Sequence, residues 1–216
     1  MNIEINVPTS LNEITLGQYQ KFLKVAEENQ EGSFLNAKMI EIFCGIPLSD
    51  SYKLKMSSVE AIVDILTEML NETPTHIDKF SLNGTQYGFI PDLDEMSLGE
   101  YVDLDGNASD WQKMHIAMNV LYRPIVTSKV GKYNIEEYTA SDSDKMKAMP
   151  LGAAIGSLFF FYNLGIELSK HTILSSNLEE VEEFQEQLTS ETNGVGINQF
   201  MVSLTEILQD LKISLN

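Results

Sequence analysis

Leu93-Asp94-Glu95-Met96-Ser97-Leu98-Gly99-Glu100-Tyr101 is the second appearance of a phrase that the chain first writes as Leu11-Asn12-Glu13-Ile14-Thr15-Leu16-Gly17-Gln18-Tyr19. Five of the nine positions are identical and the other four are close exchanges. Ser97 and Glu100 have the spacing of a helix capping box, and Thr15 and Gln18 repeat it. In such a box the hydroxyl accepts from the amide three residues on, and the long side chain reaches back to the cap amide. Ile14 and Met96 precede the caps, while Tyr19 and Tyr101 stand at the fourth helical position, the two places a hydrophobic staple uses. Both phrases therefore predict the same helix start. The expected fold is mainly α, with helical lobes and a small β-hairpin or sheet, built from an internal two-fold repeat.

Working outward, each copy predicts a similar order: a strand, a loop, the boxed helix, and further helices. Residues 2–7 alternate polar and apolar, the period of a half-buried strand. A helix follows from Leu16 to about Asn29, and another from Phe34 to Cys44, punctuated by Gly45 and Pro47. Ser57 or Ser58 is placed to cap a third helix to Leu70, with Val59, Ile62, Val63, Leu66 and Leu70 as its apolar stripe. In the second half, Asn83-Gly84 between Phe80-Ser81-Leu82 and Thr85–Ile90 predicts a hairpin with a type I′ turn. After the second phrase comes a short helix, with Asp105-Gly106-Asn107 as its break. Trp111–Tyr122 predicts a helix that Pro124 stops. A loop with a short strand near 132–138 follows, and Asp142-Ser143-Asp144 opens another helical stretch. Leu151 to about Leu168 is strongly apolar and helical. The expected division is 1–72, 73–170 and 171–216, packed as one unit.

The tail differs in character. Residues 175–188 are acidic and helix-prone, and Gly194 and Gly196 mark a loop. Phe200, Met201, Leu204, Ile207, Leu208 and Leu211 then fall on one face of an amphipathic helix. Such a helix docks on its own core or in a partner groove. Self-association through it is one expectation.

The formal charge of −18 over 216 residues is the strongest bulk signal. It argues against direct nucleic-acid binding, whose phosphates need Lys and Arg. It suits plain solubility, or a basic partner masked by an acidic face. Hydrophobic residues make up 43% of the chain, enough for a real core. No apolar run is long enough to span a membrane, and the Met1 end lacks the pattern of a secretory leader. Cys44 is the single cysteine, so no internal disulfide is expected. These features fit a reducing cytoplasm.

Candidate chemistry is sparse. Asp103, Asp105, Asn107 and Ser109 resemble the opening of a calcium loop, but Ala108 and Met114 stand where that loop needs Gly and Glu. His76, His115 and His171 are scattered, without metal-ligand spacing. Phosphate-cradling and nucleophile motifs are missing, so no catalytic, cofactor or metal residue is assigned. Gly152 and Gly156 read as a close-packing site on a helix. Arg123 is the sole arginine. Its place in Leu121-Tyr122-Arg123-Pro124-Ile125 suggests a planar fork onto a carboxylate that lysine could not match. The expected partner is Glu100 or Asp103, locking the second boxed helix to the Trp111–Tyr122 helix.

Three stretches, Ile14–Phe22, Met96–Leu104 and Leu121–Ile125, together resemble a group of poorly characterised proteins of tailed bacteriophages, over residues 9 to 168. The resemblance implies a virion assembly protein: a tail assembly chaperone or a neck or tail component, working through contacts with other phage structural proteins in the host cytoplasm or within the virion. It carries over no catalytic residue. The alternative is an acidic, host-directed regulator that masks a basic partner.

Overall fold

The computed structural model describes residues 5–29, 32–129 and 131–175. Four helices come first: α1 (Leu16–Glu28), α2 (Ser33–Cys44), the single turn α3 (Leu48–Ser51) and α4 (Met56–Leu70). A hairpin of β1 (Lys79–Leu82) and β2 (Thr85–Phe89) leads to α5 (Leu98–Ala108) and α6 (Met114–Leu121). The chain then forms β3 (Tyr122–Lys129) and β4 (Lys132–Ile135), a 3-10 segment (Ala140–Ala148) and α7 (Leu151–Ser175). The protein is thus mainly helical with one small antiparallel sheet, ordered β1-β2-β3-β4.

Local rules account for most of the elements. Gly45 ends α2 in the left-handed region at φ 70°, where a residue without Cβ is unstrained. Asn83 and Gly84 take φ 51° and 81°, the positive pair that a two-residue hairpin turn requires. Leu82 accordingly pairs with Thr85 directly across the turn.

Elsewhere tertiary contacts override the sequence reading. Of the expected strand over 2–7, residues 2–4 lie outside the described residues and residues 5–7 form no strand; Ile5 and Val7 pack onto the core as irregular chain instead. Among the described residues the sheet lies within 79–135. Helix α4 starts at Met56, and its cap position, Lys55, makes no side-chain cap bond. Helix α5 runs straight through Asp105-Gly106-Asn107, because Leu104 and Ala108 bury their side chains on either side and Asn107 Nδ2 folds back to donate to the Asp103 carbonyl at 2.6 Å. Helix α6 begins only at Met114, since Asp110 is spent on a turn in which its Oδ1 accepts from the Gln112 amide. Asp142 departs from helical geometry inside the 3-10 segment.

The largest departure is β3, where a loop was expected. Pro124 does end the helix, but the chain passes into a strand at Tyr122 with no intervening loop. Strand β3 lies between β2 and β4, where proline is unusual because it offers no N–H to a ladder. The strand is irregular just beyond it, its register shifting between Ile125 and Thr127. The Pro124 carbonyl still accepts from the Glu136 amide at 2.9 Å.

One buried apolar cluster runs from Leu11 to Phe161, with members on both sides of residue 72. At its centre, Tyr122 is 0% exposed. Its ring meets Phe80 and Phe89, and its hydroxyl donates to the Ile77 carbonyl at 2.7 Å. The junction before α7 threads back onto the first phrase. Leu151 donates to the Ile14 carbonyl at 2.9 Å, Leu16 donates to the Met149 carbonyl at 3.0 Å, and Thr15 and Pro150 form an isolated antiparallel bridge. The amphipathic stretch Phe200–Leu211 and the acidic stretch before it lie outside the described residues.

Candidate functional site: two capping boxes used as joints

Both boxes are closed. At α1 the Thr15 amide donates to Gln18 Oε1 at 2.8 Å, and the Gln18 amide donates to Thr15 Oγ1 at 3.1 Å. At α5 the Ser97 amide and hydroxyl both donate to Glu100 Oε2 at 2.7 Å, and the Glu100 amide returns a bond of 3.3 Å to Ser97 Oγ.

The long side chain in each box has a second polar atom to spare, and each spends it on a different element. Gln18 Nε2 donates to the Ile42 carbonyl of α2 at 2.8 Å. Glu100 Oε1 lies 2.8 Å from Arg123 Nη2 on β3. The exchange of Gln for Glu between the phrases therefore follows the partner. A carbonyl needs a donor, whereas a guanidinium needs an acceptor. Gln18→Glu should set an acceptor against the Ile42 carbonyl and cost about 1–3 kcal/mol, read as a fall in the urea midpoint. A variant as stable as the parent would show that the Ile42 bond contributes nothing.

Arg123 thus sits against Glu100, but the joint runs from α5 to the sheet. The contact is single: Nη2 engages Oε1, Oε2 belongs to the cap, and Arg123 Nε has no hydrogen-bond partner. Both side chains are nearly covered, at 11% and 8% exposure. Burial pushes the Glu100 carboxyl up, while the Ser97 hydroxyl and amide and the Arg123 charge outweigh that and hold it below its ordinary value.

The remaining phrase residues are packing groups. Tyr19 meets Trp111 edge-on, with ring centroids 5.0 Å apart. The Tyr101 hydroxyl is buried without a partner, and burial followed by Asp105 pushes its pKa up. Asp103, Asp105 and Asn107 stand within α5, so they cannot wrap an ion as a loop does; Asp103 instead accepts from the Tyr138 hydroxyl at 2.6 Å.

Two histidines lie in partners the sequence did not disclose. His115 Nδ1 lies 3.3 Å from Gln20 Nε2, which also donates to the Trp111 carbonyl. His76 stacks on Phe160 and lies 3.2 Å from Asp78, in a cavity of about 670 Å³ lined also by Phe89, Asp92 and Tyr133. Burial lowers both pKa values. Lys147 reinforces this at His115 while Asp144 opposes it, and Asp78 opposes it at His76. A folded-state value below the ordinary 6.5 means the stability these rings contribute is present above that pH and is lost as pH falls through the folded values. The urea midpoint should therefore drop on acidification below 6.5, and less so in His115→Gln. An unchanged midpoint in this window would contradict the assignment.

Among the described residues no cluster of His, Cys, Asp or Glu is arranged to hold a metal, and no helix is long and apolar enough to cross a membrane. Comparison of the chain with family models, curated proteins and solved structures finds no match in any of the three.

Proposed function

We propose that the chain is a non-enzymatic virion assembly protein of tailed bacteriophages, either a tail assembly chaperone or a neck or tail component, that acts through contacts with other phage structural proteins. The observation that carries this reading is where the shared phrases spend their polar side chains. Thr15, Gln18, Ser97, Glu100 and Arg123 bond to one another or to a neighbouring carbonyl. Residues used up in joints are suited to a scaffold that presents surfaces. The two phrases are best read as copies of one helix entrance. Similar box geometry at both supports this, although the elements that follow them differ.

The test is a co-purification of tagged protein from its native cells, with partners identified by mass spectrometry. A soluble monomer or dimer bound to phage proteins but missing from mature particles would favour the chaperone, acting in the host cytoplasm. Stoichiometric presence in particles would favour the structural role. Recovery with neither phage proteins nor particles would overturn the proposal. The charge of −18 favours one second reading, a regulator that masks a basic host protein. Such binding would weaken steeply with added salt.

A further inference from the structure

The two phrases are alike in sequence and in box geometry, but they are unlike in what covers them. In the first, Leu16 is 0% exposed. The segment Met146–Gly152 lies on it: besides the Leu16–Met149 and Leu151–Ile14 bonds, Gly152 donates to the Leu11 carbonyl at 3.1 Å. Gly17 lets this segment approach, for a Cβ there would stand 3.0 Å from the Lys147 carbonyl oxygen and 3.2 Å from the Lys147 Cβ. One turn on, Gln20 is buried against Trp111 and His115.

At the second phrase Leu93 and Met96 still pack on the core, but the counterparts of Leu16, Gly17 and Gln20 are open. Leu98, the counterpart of Leu16, is 79% exposed, and Val102, the counterpart of Gln20, is 55% exposed. A Cβ on Gly99, the counterpart of Gly17, would meet nothing within 4 Å. Among the described residues, Met96 and Leu98 make none of the bonds to a distant segment that Ile14 and Leu16 make. A leucine at this exposure and a helical glycine with open space beside it have no reason in the packing of the described residues.

We propose that the Leu98–Gly99–Val102 face of α5 docks a basic segment of a partner protein, carrying a Met-Pro-Leu-Gly turn like the one that the first phrase already holds. The assignment rests on the reading that this protein works through protein contacts. Two observations choose the occupant. The seated segment Lys145–Gly152 shows what chemistry fits a phrase of this sequence. It is the turn from the 3-10 segment into α7, extended only at Met149 and Pro150, and it lays Met149, Pro150 and Leu151 on the phrase. Lys145 and Lys147 ahead of them pair with Asp142 and Asp144. Charge is the second. Asp92, Asp94 and Glu95 are exposed just ahead of the face, and no Lys or Arg occurs between Pro91 and Gln112. A basic segment complements this acidic surround. A second copy of the chain does not supply it, because Met146, Met149 and Leu151 of each copy are fully buried in that copy's own fold.

The probe is a synthetic peptide with the sequence of residues 145–153, titrated against the full chain by calorimetry and by crosslinking from benzoylphenylalanine in place of Leu98. Saturable binding is expected, with crosslinks to the peptide. Affinity should fall about tenfold or more in Leu98→Asp and in Gly99→Val, with thermal midpoints unchanged because both sites are open. Met56→Asp, an equal charge change at an exposed site on α4, should leave affinity unaltered. A peptide with glutamine for both lysines should bind several-fold more weakly. Lack of binding to the full chain, or binding indifferent to Leu98→Asp and Gly99→Val, would overturn the proposal. So would equal affinity for the neutral peptide. Crosslinks in the free protein to residues 198–213 would assign the face to the chain's own tail, and crosslinks between copies would assign it to self-association. Either result would overturn the partner assignment. None of these failures touches the virion-assembly reading, which stands or falls on co-purification.

Discussion

Replacing Glu100 by alanine is expected to destabilise the fold by about 3–5 kcal/mol. The substitution strands the Arg123 guanidinium, 11% exposed, without its counter-charge, and it opens the cap at Ser97. An uncompensated buried charge is what makes breaking such a pair costly, whatever the pair itself contributes. Arg123→Ala should also be costly, since it leaves a carboxylate at 8% exposure without its partner. Glu100→Ala combined with Arg123→Ala should cost clearly less than the sum of the two, because no charge is then left stranded. Additive losses in urea denaturation would sink this account. Arg123→Lys should lose less than Arg123→Ala, because the observed contact is a single one that an ammonium can imitate. Glu100 also sets an acid limit. Its carboxyl is held below the ordinary value of 4.5, so the stability it contributes is present above that pH and is lost as pH falls further. Glu100→Gln should flatten the stability curve in that window.

Tyr122→Ala is expected to cost about 3–5 kcal/mol, the range for emptying a buried aromatic site. Tyr122→Phe should cost about 1–3 kcal/mol, because the ring stays while the Ile77 carbonyl at 2.7 Å and the Ala153 carbonyl at 3.4 Å lose their donor. Tyr122 is the residue at which α6 becomes β3, so its ring and hydroxyl hold the helix, the sheet and the connector at Ile77 in one place. Thermal and urea midpoints of the two variants separate the terms. If phenylalanine were as damaging as alanine, the hydroxyl would matter more than the ring, and the packing argument would be wrong.

How far the chain could be read depended on the range of the interaction. The caps at Thr15 and Ser97, the Gly45 stop and the Asn83-Gly84 turn are settled within about four residues, and each stands where its spacing predicts. Strand β3 was hidden because one of its pairing partners is far along the chain: Tyr87 of β2 faces Pro124, although β4 follows at once and pairs locally, Lys132 with Lys129. A proline and a mixed pattern read as a loop until those neighbours are known. The start of α4 was misplaced for the opposite reason. Two serines advertised a cap, yet the helix begins without one at Lys55.

The amino-acid sequence by itself determined that this protein is mainly helical, that two helices begin with the same closed box, and that the lone arginine had a carboxylate to find. Those properties belong to a few adjacent residues and to composition. Only the tertiary structure decided which element each box would grip, and which of two near-identical faces would be covered. Leu16 and Leu98 are the same residue in the same phrase, and one is buried while the other stands in the open. Burial belongs to whatever segment arrives from elsewhere in the chain, and Met146–Gly152 can be in only one place.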